Sequence, residues 1–182
     1  MWVALALLAS LAGPATADTE ALVVGAPARA FDLAALNPEI ATALVRERRV
    51  ALHDLVGLRP THPMRGVVVV FFDRGSSALG LPALEVLAHR YKGEKIRFLG
   101  ICVDDSDTVG DWILAQNLSF PVLADPHRVV AGRYEVRTLP FVVLVDARAR
   151  VFAAGGPDAL DLEGPLDLEI THLLELGPPI GP

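Results

Sequence analysis

Cys102 is the only cysteine in this 182-residue chain. A thiolate is a strong biological nucleophile, but a dithiol–disulfide couple needs two sulfurs. One cysteine can act only as a single-thiol centre or pair with another molecule. Cys102 falls in residues 96–103, apolar but for Arg97, where a cysteine also packs as a small hydrophobe. In an extended segment it shares a face with Phe98 and Gly100, while Leu99, Ile101 and Val103 take the other. Neither set supplies the cation or helix N-terminus that lowers a thiol pKa. A core residue and a redox or regulatory thiol are both open readings.

A second candidate is the stretch Asp73, Arg74, Gly75, Ser76, Ser77 and Ala78. A serine at a strand-to-helix joint invites a hydrolase reading. Gly75 with Ser77 meets the Gly-x-Ser-x-Gly elbow only loosely, because Leu79 stands where the second glycine belongs. A catalytic serine also needs a base within hydrogen-bond reach. His89 lies roughly 18–20 Å along the following helix at about 1.5 Å per residue, and His53, His62, His127 and His172 approach only through folding. The simpler role for Ser76 and Ser77 is to cap a helix through its free N–H groups. A third reading makes Arg74 to Ser77 an anion cradle of backbone N–H groups, hydroxyls and a guanidinium.

No metal constellation stands out. The histidines form no His-x-x-x-His or Cys/His cluster. Asp104, Asp105 and Asp107 alternate like the start of a calcium loop, but its glycine and closing glutamate are missing. The run is expected to cap the next helix, with Ser106 or Asp107 at its start. No cofactor is expected.

The elements that must position these residues follow from periodicity. Residues 67–72 are wholly apolar, as in a strand covered on both faces. Leu84, Leu87, Ala88 and Tyr91 recur at helical spacing, predicting a helix over 82–91. A second strand is predicted over 96–103, then a helix burying Val109, Trp112 and Ile113. A short extended piece (120–123) and a brief helix (129–134) follow. Strands are expected at 141–145 and 151–153, then a last helix burying Leu166, Ile170, Leu173 and Leu174. Near the N-terminus, Pro38 opens a helix expected to run to Arg48, with the basic group Arg46, Arg48 and Arg49 at its solvated end. Strands alternating with helices read as an α/β domain with helices on both faces of the sheet.

A net charge of −6 and a pI near 5.3 exclude the basic footprint of a nucleic-acid binder. Residues 1–17 read as a secretory signal: an apolar stretch at 2–11, a break at Gly13 and Pro14, and Ala15, Thr16, Ala17 as a small-x-small cleavage site. Its n-region lacks Lys and Arg. Export to a periplasmic or extracellular location is therefore expected, leaving one domain over 18–182. No later apolar run reaches the roughly 18 residues of a membrane span.

Several stretches together carry a resemblance. Val23, Gly25, Pro27, Phe31 and Leu33 resemble the VGxPAPxFxL opening of AhpC/TSA and TlpA-type redoxins. Residues 50–57 resemble their VSLSDLKGK segment, and 99–104 their VVGVSVD strand. Residues 120–125 match FPVLSD. Val130, Ala131, Tyr134 and Val136, followed by Thr138, Leu139 and Pro140, resemble VAxxYGVxGxP, and 141–146 match the strand after it. The resemblance covers roughly 22–176 and implies a thioredoxin-like fold: a central mixed sheet, helices on both faces and an N-terminal redoxin-type extension. It also implies that Pro140 is a cis-proline beside the reactive loop, helping to hold an extended substrate chain. The departure is the loop itself, where Arg74, Gly75, Ser76 and Ser77 occupy the Cys-x-x-Cys position. The peroxiredoxin threonine–cysteine pattern is absent too.

The expected function is an exported redoxin-family protein without dithiol chemistry. Thr138, Leu139 and Pro140, with the former active-site loop, would bind an extended peptide or partner protein by strand addition. The alternative is a thiol-disulfide oxidoreductase or peroxiredoxin-like enzyme working through Cys102.

Overall fold

Seven consecutive buried residues, Gly66–Phe72, form β3, the central strand of a five-stranded sheet. Such a strand needs cover on both faces, and the chain supplies it. The computed structural model describes residues 22–77, 80–156 and 164–176; the signal-like segment 1–17 and Ala78 lie outside them. β3 pairs in parallel with β4 (Ile96–Cys102) and antiparallel with β6 (Phe141–Asp146). β5 (Val122–Ala124) extends the sheet beside β4, and β7 (Val151–Gly155) beside β6.

Alternation along β3 splits the core in two. Val68, Val70 and Phe72 face α3 (Leu81–Arg90), α4 (Ser106–Ala115) and α6 (Pro165–Leu176), which bury Leu84 and Leu87, Val109 and Ile113, and Leu166, Ile170 and Leu173. Each fully buried leucine contributes about 1.5–3 kcal/mol of hydrophobic stabilisation. Val67, Val69 and Phe71 face α1 (Pro38–Val45), α5 (Val129–Arg133) and the segment around Leu52, Leu55 and Val56. Phe71 meets Tyr134 at a ring-centroid distance of 5.3 Å, and the Tyr134 hydroxyl donates to the Arg29 carbonyl at 2.7 Å. The α/β architecture with helices on both faces is the one the sequence implies. Trp112 and Leu174 are only partly buried, at the margin of the core.

The differences are local. α1 stops at Val45, because Arg46 turns left-handed (φ 63°) and Arg49 opens β2 (Arg49–Ala51). β2 pairs antiparallel with β1 (Asp32–Ala34), and the Arg49 guanidinium binds Asp32 at 2.9 Å. Pairing therefore takes the end of the arginine group out of the helix. A 3-10 turn, Leu52–Asp54, follows. α4 is capped by Asp105, whose carboxylate accepts from the Asp107 N–H at 3.0 Å, and not by Ser106 or Asp107.

Candidate functional site

The joint after β3 folds into one short helical turn, α2 (Arg74–Ser77). Its cap is Asp73. The Asp73 carboxylate accepts from the Ser76 N–H at 2.6 Å, and the Ser76 hydroxyl accepts from the Asp73 N–H at 3.1 Å. This reciprocal pair is a capping box with aspartate at the cap and serine three residues on. The bond from the Ser76 N–H holds the Asp73 carboxyl below its ordinary pKa. Ser76 thus serves α2 from inside its first turn, which corrects the expectation that the loop serines themselves cap the following helix. α3 instead begins after Gly80 with no side-chain cap. The Ser76 hydroxyl has no histidine partner, and His89 pairs with Glu85 at 3.0 Å on exposed α3 surface.

Two of the N–H groups pictured as an anion cradle are engaged by carboxylates. Asp73 takes that of Ser76, and Asp104 takes that of Arg74 at 2.6 Å. The Arg74 guanidinium sits 5.9 Å from the centre of the Trp112 ring, a cation–π distance. An external anion would meet the carboxylates of Asp73 and Asp104 at these two groups.

Cys102 ends β4 directly beneath this loop. It shares its face with Phe98, as alternation requires, and is 0% exposed. Its thiol lies 3.9 Å from the Asp104 carboxylate. Burial is the main force pushing the thiol pKa up to about 11; the charges of Asp104 and Asp73 add to it, and an Asp104 backbone hydrogen bond opposes it. Only about one thiol in ten thousand is then ionised at pH 7. Reactive cysteines sit in electropositive, accessible surroundings; this one has the opposite on both counts. Buried Asp125 closes the other side. Its N–H donates to the Cys102 carbonyl at 2.9 Å, while its carboxylate accepts from the N–H groups of Val129 and Ala131 at 2.9 and 2.8 Å.

Thr138, Leu139 and Pro140 lead into β6. Phe141 pairs with Phe71, so continuing the register sets Pro140 and Leu139 beside the end of β3 and the start of α2. Thr138 is exposed, Leu139 half-buried and Pro140 buried. The Leu139–Pro140 peptide bond is cis. Among the described residues, the backbone groups of Thr138 and Leu139 make no hydrogen bond. The Thr138 hydroxyl closes over Gly156, where an added Cβ would meet it at 3.1 Å.

The sequence reading places Asp73 in the candidate loop and Asp104 in an acidic run but gives neither its role here, as cap of α2 and as acceptor for the Arg74 N–H. The Asp-x-x-Ser spacing is a readable capping signal for the first. The second acts across 30 residues and leaves no local trace. Among the described residues, no group of three or more His, Cys, Asp or Glu side chains is arranged to hold a metal. No described helix is long and apolar enough to cross a membrane.

Known structures share this architecture. A protein described as thiol:disulfide interchange protein DsbE from Chlorobium tepidum superposes with a TM-score of 0.67 at 22% identity, covering 85% of this chain and 99% of that one. Peroxidoxin BcpB from Mycobacterium tuberculosis gives 0.64 at 15%, covering 85% and 98%. An uncharacterised conserved protein from Geobacillus kaustophilus gives 0.69 at 18%, covering 89% and 88%. At these identities the likeness carries the fold alone. No curated protein matches the chain significantly. Residues 24–154 match the AhpC/TSA family, a span that includes the altered loop, Cys102 and Pro140. The chain belongs to the AhpC/TSA family, has a thioredoxin-like fold, and with one cysteine lacks the Cys-x-x-Cys pair.

Proposed function

We propose that this chain is an exported, redox-inactive member of its family. It holds an extended peptide or a partner protein at the surface formed by Thr138, Leu139 and Pro140 and the Arg74–Ser77 loop. The observation that carries the reading is the setting of Cys102. The chain's one sulfur is fully buried beside a carboxylate, with its pKa raised to about 11. A disulfide exchanger or thiol peroxidase needs an accessible thiol of low pKa, so the enzyme reading through Cys102 has the geometry against it. The peptide reading rests on the backbone groups of Thr138 and Leu139, which have no partner among the described residues. They can pair with an added strand without any thiol. Export rests on the signal-like residues 1–17.

The test is binding of a carboxymethylated, permanently unfolded protein chain, with and without dithiothreitol. Binding is expected to be the same under both conditions. It should fall in Thr138→Pro, which removes one backbone donor. Turnover of peroxide or of a disulfide by the wild type would refute the redox-inactive reading, and undiminished binding by Thr138→Pro would refute the site.

A further inference from the structure

A groove of about 240 Å³ opens at the far end of the sheet, between α1, the end of α3 and the starts of β4 and β5. Its β4 lining, Ile96 to Phe98, lies roughly 13–20 Å along the strand from Cys102 at about 3.3 Å per residue, and the groove is independent of the peptide reading. Its walls include Leu44, Ala88, Phe98 and Phe120. The wall carrying α1 is firmly fixed. Buried Asn37 donates to the Phe120 carbonyl at 3.0 Å and accepts from the Val122 N–H at 2.8 Å, and the Leu36 N–H donates to the Val122 carbonyl at 2.7 Å.

Two cations, Arg97 and Lys92, line this otherwise largely apolar groove. The Arg97 Nη1 is held by the carbonyls of Lys92 at 3.2 Å and Ile96 at 3.4 Å. Among the described residues, the Arg97 Nε and Nη2 and the Lys92 ammonium have no hydrogen-bond partner, and no carboxylate pairs with either side chain. Burial pushes the Arg97 guanidinium below its ordinary pKa, and no anion counters it.

We propose that this groove binds a small amphipathic carboxylate. Its apolar tail lies against Leu44, Ala88 and Phe120, and its carboxylate takes the free Nε and Nη2 donors of Arg97, with Lys92 alongside. A planar guanidinium presents paired donors that match a carboxylate. The volume falls below the range of about 300–1,000 Å³ typical for drug-sized ligands, so the tail is short.

Calorimetric titration of the full chain with octanoate tests this, with octanol as the uncharged comparison. Saturable octanoate binding is expected, with octanol at least about tenfold weaker, the size of a charge-assisted hydrogen-bond contribution. Arg97→Gln should weaken octanoate by a similar factor. Ala43→Trp, at an exposed position on the groove wall, should abolish binding without lowering Tm. Thr138→Pro should leave octanoate affinity unchanged. Absence of saturable binding, equal affinity for octanol, or full affinity in Arg97→Gln or Ala43→Trp would overturn the proposal.

Discussion

Gly100 lies in β4, two residues before Cys102, and the core leaves no room there for a side chain. A Cβ at this position would stand 2.9 Å from the Phe72 ring, 3.3 Å from Val122 Cγ2 and 3.5 Å from the Phe120 ring. Carbon atoms settle at about 3.5–4.0 Å, so in Gly100→Ala the Phe72 ring must retreat by about half an ångström or more. Phe72 is 1% exposed within a packed cluster and is the last residue before the Asp73 loop. Overpacking of this kind costs about 1–3 kcal/mol, partly offset by about 0.4–1 kcal/mol from the stiffer unfolded chain. We expect a net loss of about 1–2 kcal/mol in urea unfolding. Gly110, inside α4, gives the internal contrast: an added Cβ there meets nothing within 4 Å. Gly110→Ala should stabilise by about 0.5–1 kcal/mol through helix propensity. If Gly100→Ala were as stable as wild type while Gly110→Ala behaved as stated, the Phe72 packing argument would be refuted.

Two further perturbations probe other joints. Asn37→Ala leaves the Phe120 carbonyl and the Val122 N–H without their side-chain partner, and should cost about 1–3 kcal/mol in urea unfolding; a loss under about 0.5 kcal/mol would contradict the clamp. Asp167 accepts from the Tyr91 hydroxyl at 2.6 Å and from Arg90 at 2.7 Å, and the Tyr91 bond is the main cause holding its pKa below the ordinary 3.8. A depressed carboxylate stabilises the fold fully above its unfolded pKa and loses that contribution as pH falls through its folded pKa. Asp167→Asn should therefore trail wild type by about 1 kcal/mol at neutral pH, discounted for partial exposure. The gap should close below pH 3.8, the ordinary value; a gap that stayed constant into acid would exclude Asp167 as its source.

The elements legible in the sequence are those with long apolar periodicity. The all-apolar run of β3 announced a strand covered on both faces, and alternation placed Cys102 with Phe98 correctly. The antiparallel β1–β2 pair escaped because three-residue strands such as Asp32–Ala34 and Arg49–Ala51 are too short to show a period. Arg46 to Arg49 look like a helix end because the strand pairing that draws Arg49 into β2 is made with Ala34, a non-local partner. At the site, the serines drew attention as caps while Asp73, the actual cap, passed as a loop residue. Asp104 passed as part of an acidic run. Its contact with the Arg74 N–H exists only because parallel pairing of β3 and β4 aligns Phe72 with Cys102, which no local pattern encodes.

The decisive measurement is the rate of reaction of the Cys102 thiol with a chromogenic thiol reagent across pH, native and then denatured. With a folded pKa of about 11, about a thousandth of the thiol is ionised at pH 8, against about a quarter for a free cysteine of pKa about 8.5. Burial slows the native reaction further. The thiol is expected to be silent in the native protein at pH 8 and to react fully once the chain is denatured. A native thiol that reacts as fast as a free one, titrating well below about 8.5, would contradict this.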